Sequence, residues 1–435
     1  MARADAVAAL EAERFDLVVI GGGITGAGVA LDAASRGFSV ALLEREDFAS
    51  GTSSRSSKLV HGGLRYLQRF DLGLVREALL ERALMVELAP RLVRPLPFVV
   101  PAFDGRHPDR LTGIGLNLYD VMASDRLRRR ADRRSPEGSV SRANGWSPDR
   151  HRTISGEEAV ELVPALAARR PTSAYLFYDC QTDDARLVLS VLEAAERVGA
   201  VCANRCEATG LIEHGGRAAG VLARDRAGGG EVEVRARRVV NATGVWADRI
   251  GAEEGAGGKE IPRIRPSRGT HVVLAREDLD LRAGAIVPAG GGRTIFTLPW
   301  LGRTLVGTTD RDYGGPLERV APDPADIDYL LEACNRFFGT ALAPGLLRGA
   351  FAGVRPLIST GGARKPATDI SRRAELHETS SGLVTITGGK LTTWRRMAKL
   401  AVDRVVEREG IEAPCRTHAI AIAPETDAAA LPAVA

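Results

Sequence analysis

The sequence predicts an α/β fold, a Rossmann-like dinucleotide-binding layer interrupted by an inserted domain built on an antiparallel β-sheet. Three observations predict it. A buried-strand pattern at residues 15–20 runs directly into Gly21-Gly22-Gly23 and a helix. Two later apolar strands, near residues 237–241 and 383–387, end on small residues and on a Gly-Gly turn. Between them, from residue 261 onward, short β-rich segments follow one another.

The first element is FDLVVI, Phe15 to Ile20, a nearly continuous run of apolar and β-branched residues. That pattern fits a parallel strand buried on both faces. Gly21, Gly23 and Gly26 then form G-x-G-x-x-G, with Gly22 and Thr25 in the same loop, and a helix runs on to Gly37. A second strand, FSVALLE, ends at Glu44, followed by Arg45. Gly21 permits a tight turn, Gly23 lets the backbone approach a pyrophosphate, and Gly26 lets helix and strand pack closely. The helix N-terminus adds N–H donors and partial positive charge. A carboxylate at Glu44 is placed to accept the hydroxyls of a ribose.

Residues 74–90 read as a helix with Leu84 and Leu88 on one face. After Pro95 the texture changes. Residues 101–170 are rich in Pro, Arg and Gly and read as an inserted region with loops. Asp183 and Asp184 open an amphipathic helix whose core face carries Leu187, Val191, Ala194 and Val198. HGG at 214–216 and GGG at 228–230 mark turns between strands. RRVVNATGVWAD (237–248) is a strand ending on Ala242, Thr243 and Gly244, small enough for a ligand to approach the backbone.

THVVL, AIVP, TIFTLPW and TLVGTTD predict the antiparallel sheet, a helix is expected near 325–339, and FAGVRPL (351–357) is expected to return to the first domain. Last comes a strand at 383–387, a turn at Gly388-Gly389, and a helix from Leu391 with Trp394, Ala398, Ala401 and Val405 along its buried stripe. The expected division is 1–95, 171–250 and 350–412 for the dinucleotide-binding domain, 96–170 and 251–349 for the substrate domain, and 413–435 as a tail of low complexity.

The 435-residue chain is 44% hydrophobic, enough for a sizeable core. Its net charge of +4 is too mild to argue for nucleic acid. The run RLRRRADRR at 126–134 reads as a solvated face or as a patch for anionic lipid headgroups. Five cysteines without short-loop pairing argue against a disulfide framework, and Cys202 and Cys206 read as packing residues on one strand rather than a metal set. The N-terminus has no secretory pattern, and no stretch of about 18 consecutive apolar residues occurs. The expected location is therefore cytoplasmic, or peripheral at the inner face of the cell membrane.

A dinucleotide site at the N-terminus, completed by a strand and helix far along the chain, points to FAD. FAD is long enough for its adenosine end to sit on the first βαβ unit while its ring reaches distant elements. NAD is the alternative that the fingerprint alone leaves open. A helix starting near Leu391 would direct its positive end at the pyrimidine edge of a flavin, where charge builds on hydride uptake.

VVIGGGITGAGVALDAASRG, TSSRSSKLVHGGLRYL, YDCQTDDARLVL, NATGVWAD, PSRGTHVVL, LPWLGRTLVGTTD, FAGVRPL and TGGKLTTWR occur in that order between about residues 14 and 410. Through them the chain resembles the FAD-dependent glycerol-3-phosphate dehydrogenases, within the D-amino-acid-oxidase-like flavoproteins. SSKLVHGGLRYL and GGKLTTWR are specific to this group; the glycine fingerprint is not. The resemblance implies oxidation of sn-glycerol 3-phosphate to dihydroxyacetone phosphate, with a hydride passing from C2 to flavin N5 and electrons on to a membrane quinone.

The resemblance also implies roles. Ser57, Lys58, Leu59, Gly62 and Gly63 would wrap the flavin pyrophosphate and ring. Arg65 and Tyr66 would bind substrate, with the planar guanidinium of Arg65 on the phosphate. Arg355 would steady the alkoxide at C2, and Lys390 would lie near both flavin and substrate. His271 is the candidate general base, with Arg355 or Lys390 acting through water as the alternative. Thr52 and Ser53 would contact phosphate. Ala208, Ala242 and Gly244 would lie beside the adenosine half, and Gly389, Leu391 and Thr392 at the pyrimidine edge. Asp310 lies in a family motif and receives no role.

Members of the family continue into a helical C-terminal domain, which is expected to be absent here because the sequence stops soon after PCRTHAIAIAP. A homodimer is one expected assembly. Three other readings stand beside the dehydrogenase: an oxidase using oxygen, an amine or amino-acid oxidase with Arg355 as carboxylate clamp, and a flavin-binding protein without turnover.

Overall fold

The computed structural model describes residues 1–64, 71–105, 107–123, 150–252, 263–358 and 374–422. Arg65, Tyr66 and the basic run at 126–134 lie outside the described residues. The helices are α1 (Arg3–Ala12), α2 (Ile24–Ser35), α3 (Leu72–Leu88), α4 (Arg110–Ala123), α5 (Gly156–Leu162), α6 (Asp184–Arg197), α7 (Ala247–Ala252), α8 (Pro324–Phe338) and α9 (Trp394–Glu409).

Two sheets organise the strands. The first takes β1 (Arg14–Ile20), β2 (Val40–Leu43), β7 (Val201–Ala203), β8 (Cys206–His214), β9 (Arg217–Asp225), β10 (Glu231–Asn241), β17 (Ala374–Glu378) and β18 (Val384–Gly388). Its central order is β17-β18-β10-β1-β2-β7, with the β8–β9 hairpin attached through β10. The second takes β3 (Leu59–Val60), β4 (Arg94–Ala102), β5 (Arg152–Ser155), β6 (Ser173–Gln181), β11 (Ile264–Ala275), β12 (Gly284–Pro288), β13 (Thr294–Trp300), β14 (Arg303–Gly307), β15 (Arg311–Asp312) and β16 (Leu347–Ile358). Its pairings are mostly antiparallel, and β4 meets β12 in parallel.

Strand β1 shows why its sequence is continuously apolar. It pairs in parallel with β10 on one side and β2 on the other. Leu17 and Val19 pack into the core formed with α2, α6 and α9. Val18 and Ile20 pack on the opposite face with α1 and the β8–β9 hairpin. Both faces are dry, so alternation is lost. Helices α2 and α9 interlock: a Cβ at Gly28 would sit 2.6 Å from Cε3 of Trp394, so the missing side chain makes room for a fully buried indole.

Several sequence expectations change. Region 101–170 contains α4, α5 and β5 rather than loops alone. Gly113 and Gly115 weaken the helical signal of α4, yet Gly113 is needed there, since a Cβ would lie 2.5 Å from the Tyr175 hydroxyl. The prolines at 95, 97 and 101 fall at alternate positions of β4, so all their missing N–H groups face one edge. FAGVRPL does not return to the first sheet. It belongs to β16, which pairs along β11 in the second sheet, with Ser267 opposite Arg355. Strand β6 likewise lies in the second sheet, although its residues were expected with the first domain.

Cys202 and Cys206 sit on separate strands, divided at Arg205, which adopts φ 53°. All five cysteines are buried and free, and burial pushes the Cys180 and Cys334 thiols up to about 12. Val198 caps α6 and is exposed, so the core face of that helix is Leu187, Val191 and Ala194. Among the described residues no helix is long and apolar enough to cross a membrane, and no cluster could hold a metal ion.

Candidate active site

One cavity of about 1210 Å³ takes its wall from both sheets. At one end lie Gly21, Gly23, Thr25, Glu44 and Arg45; at the other lie Arg355, Gly389, Lys390, Leu391 and Thr392. The sequence separates these ends by more than three hundred residues. The parallel order β2-β1-β10-β18 places their loops along one end of the sheet.

The glycine end is built by close approach. Gly21 has φ 109°, which permits its turn. A Cβ on Gly26 would lie 1.9 Å from the Gly21 carbonyl oxygen, so only glycine lets α2 start this close to β1. The Gly22 and Glu46 amides donate to Glu44 Oε2 and Oε1 at 2.7 and 2.8 Å. A carboxylate has about four acceptor positions, so Glu44 keeps capacity for ribose hydroxyls. Burial raises the Glu44 carboxyl above its usual range, against the opposing pull of those two amides. Gly22 itself lies behind the wall. The Arg45 guanidinium stacks over the Trp246 ring at 4.9 Å. Ala208, Ala242 and Gly244 line the same part of the cavity.

Thr52 and Ser53 also reach the wall, with their hydroxyls already engaged. Thr52 Oγ1 donates to the Val354 carbonyl at 2.6 Å, and Ser53 Oγ accepts from the Ile24 amide at 3.0 Å. Ser53 thus satisfies one N–H at the start of α2. The α2 N-terminus has no cap from its own Ncap side chain, because Gly23 occupies that position.

The far end differs from expectation in its helix. A 3₁₀ turn spans Leu391–Thr393, and α9 begins only at Trp394. Gly388 and Gly389 make the turn with φ 79° and 72°. A Cβ on Gly389 would lie 2.3 Å from Met397 Sδ. Arg355 rises from β16 into the cavity. Its Nη2 donates to Thr308 Oγ1 and the Thr309 carbonyl, both at 3.2 Å, and Nη1 lies 3.5 Å from Asp310 Oδ1. Gly269 across the sheet makes space for the fork, since a Cβ there would be 2.6 Å from Nη2.

Three residues expected at the ligand lie one layer back. Lys58 is buried, and its Nζ donates to Asp184 Oδ1 at 2.5 Å and to the Ser54 carbonyl at 2.6 Å. It ties the 54–58 turn to α6 instead of facing the cavity. Gly62 also lies behind the wall, whereas Leu59 and Gly63 line it. His271 is buried against Phe351, stacked at 4.8 Å, with Nε2 2.9 Å from Ser57 Oγ. Ser57 faces the cavity; His271 does not. Burial first, then the charges of Arg355 and Lys58, push the imidazole down to about 3. A neutral ring held so far below neutrality is weakly basic, which disfavours direct proton abstraction.

Sequence reasoning missed Tyr119 of α4, which accepts from the Gly62 amide, and Asp179 of β6, which accepts from the Tyr119 hydroxyl. The signal was hidden because α4 was not recognised as a helix. The assembled wall suits FAD: bare backbone and a helix start for a pyrophosphate, a carboxylate for ribose, and a distant turn for the ring. The cationic Arg355 and Lys390 at the same far end suit an anionic substrate.

A family profile described as "FAD dependent oxidoreductase" matches residues 16–404. The chain is 40% identical over 406 residues to glycerol-3-phosphate dehydrogenase 2 of Mycobacterium tuberculosis H37Rv, covering 93% of this chain and 65% of that protein. It is 37% identical to the aerobic glycerol-3-phosphate dehydrogenase of Bacillus subtilis strain 168, covering 93% and 70%. The structure of the Bacillus halodurans glycerol-3-phosphate dehydrogenase complexed with FAD superposes with a TM-score of 0.75 at 31% identity, over 97% of this chain and 70% of that one. Glycine oxidase of Geobacillus kaustophilus shares the fold, with a TM-score of 0.61 at 22% identity, over 94% and 98%. The chain thus spans about two-thirds of the length of the dehydrogenases it matches.

Proposed function

The chain belongs to the FAD dependent oxidoreductase family, and from that premise we propose that it oxidises sn-glycerol 3-phosphate to dihydroxyacetone phosphate. The observation that carries this reading is the single cavity joining the Gly21–Glu44 cradle to Arg355 and Lys390. The names of its relatives supply the substrate. Glu44, Ala242 and Gly244 would hold the adenosine half of FAD, with Gly389, Leu391 and Thr392 at the ring. When bound, FAD supplies the acceptor for the hydride leaving C2.

The chain's own groups do the rest. Arg355 is pre-set by Thr308 and Thr309, so its charge meets the developing C2 alkoxide without reorganising. Lys390 adds a second cation at the same end of the cavity. Arg65 and Tyr66 take the phosphate in this reading. His271 acts through Ser57, fixing its hydroxyl, and the proton of the C2 hydroxyl leaves to water beside Lys390.

The test is anaerobic mixing of purified protein with sn-glycerol 3-phosphate while the flavin absorbance is followed. Bleaching by this compound, and not by glycerol or glycine, is the expected outcome. Bleaching by glycine alone would overturn the substrate assignment.

For the electron acceptor we propose a membrane quinone, reached at an anionic lipid surface. Leu111, Ile114, Leu118 and Val121 form an exposed apolar stripe at helical spacing on α4, and the first three line the cavity rim. The arginine-rich run at 126–134 follows directly in sequence. This pattern supports interfacial binding. The protein should co-sediment with phosphatidylglycerol vesicles and be released by salt; binding only to neutral vesicles would contradict it.

A further inference from the structure

Gly62 and Gly63 sit in the strip 61–64, which leads in sequence to Arg65. The strip is held from two sides. On one side the Thr392 hydroxyl accepts from the His61 amide at 3.1 Å and donates back to the His61 carbonyl at 3.3 Å. On the other side three buried side chains converge. The Gly62 amide donates to Tyr119 Oη at 2.8 Å. That hydroxyl donates its own proton to the Asp179 carboxylate, whose oxygens lie 2.7 and 2.8 Å away. Arg82 Nη1 holds the same carboxylate at 2.5 Å and the Tyr178 carbonyl at 3.0 Å.

These groups come from separate elements: Arg82 from α3, Tyr119 from α4 and Asp179 from β6. Tyr119 and Arg82 are almost wholly buried, and burial drives the Tyr119 phenol well above its usual value, so it keeps its proton. Its one proton is directed by Asp179, which leaves a lone pair for the Gly62 amide. Tyr119 also presses on Gly62, where a Cβ would lie 2.7 Å from the ring.

We propose that Tyr119, aimed by Asp179 and Arg82, is a positioning residue that fixes the peptide of Gly62. It thereby sets where His61, Gly63 and Leu64 stand on the cavity wall. This rests on the reading of the site as one for sn-glycerol 3-phosphate, since the strip leads in sequence to Arg65, which that reading assigns to the phosphate.

The experiment compares Tyr119→Phe with Leu79→Ala. Phe keeps the ring packed on Gly62 but removes the acceptor. Leu79 packs on the same glycine from α3 without bonding to it. In anaerobic rapid mixing, Tyr119→Phe should raise the substrate concentration for half-maximal flavin reduction about tenfold, with FAD content unchanged. Leu79→Ala should lower the melting temperature yet leave that concentration within about twofold. Amide exchange read by mass spectrometry should rise in the 61–64 peptide of Tyr119→Phe. Unchanged exchange there, or an equal loss of substrate affinity in Leu79→Ala, overturns the proposal. A wild-type protein that does not bleach with sn-glycerol 3-phosphate overturns the substrate reading instead, and the exchange measurement still decides the role of Tyr119.

Discussion

Replacing Arg355 by Ala is expected to slow flavin reduction by sn-glycerol 3-phosphate about 100- to 1000-fold, the usual loss when a pre-oriented charge is removed from a developing oxyanion. The guanidinium is already bound to Thr308 and Thr309, so in the proposed reading it would meet the reacting oxygen without rearrangement. Arg355→Lys should recover only part of the rate, because an ammonium cannot reproduce the planar fork. The check is single-turnover reduction under anaerobic conditions, with FAD content measured on the same samples. A normal limiting rate in Arg355→Ala would remove this residue from the C2 chemistry.

The second large effect is structural. Gly26→Ala places a methyl where its carbon would lie 1.9 Å from the Gly21 carbonyl oxygen. Backbone cannot yield as a side-chain tip does. Either α2 retreats from β1 or the Gly21–Gly23 turn is reshaped. The overpacking costs about 1–3 kcal/mol, and either movement spoils the cradle proposed for the pyrophosphate. The variant should purify with little or no flavin and a lowered melting temperature. Gly73→Ala is the control, because open space surrounds Gly73 near the start of α3; it should remain yellow and as stable as wild type. A fully yellow Gly26→Ala would show that the cradle tolerates the shift.

The legible parts of the molecule were those whose cause is local. The βαβ fingerprint is written within residues 15–44, because the turn, the helix start and the acid that ends the second strand are all set by neighbours. Helix α8 was visible because Asp323 caps it, Pro324 opens it and Gly339 closes it. The illegible parts depend on distant partners. Lys58 looks like a ligand until Asp184, 126 residues later, takes its charge. His271 looks like a base until Phe351 and the surrounding strands bury it. Helix α4 was hidden for a different reason. Two glycines lower its propensity, and Leu111, Ile114, Leu118 and Val121 lie on its exposed face, so the polar side expected of a surface helix is missing.

The pairing of β1 with β10 has a consequence for how the protein is made. Arg14 lies opposite Arg235 and Ile20 opposite Asn241, so the first strand waits for a partner some two hundred residues downstream. At about 5–20 residues per second, a ribosome needs roughly ten to forty seconds to deliver it. Until then a nearly continuous apolar edge is open to other nascent chains. Trp394 must arrive later still to fill the gap above Gly28. The nucleotide half therefore cannot mature as an early, independent unit on the ribosome. The cavity wall itself is complete only once Gly389 to Met397, near the end of the described chain, has been made.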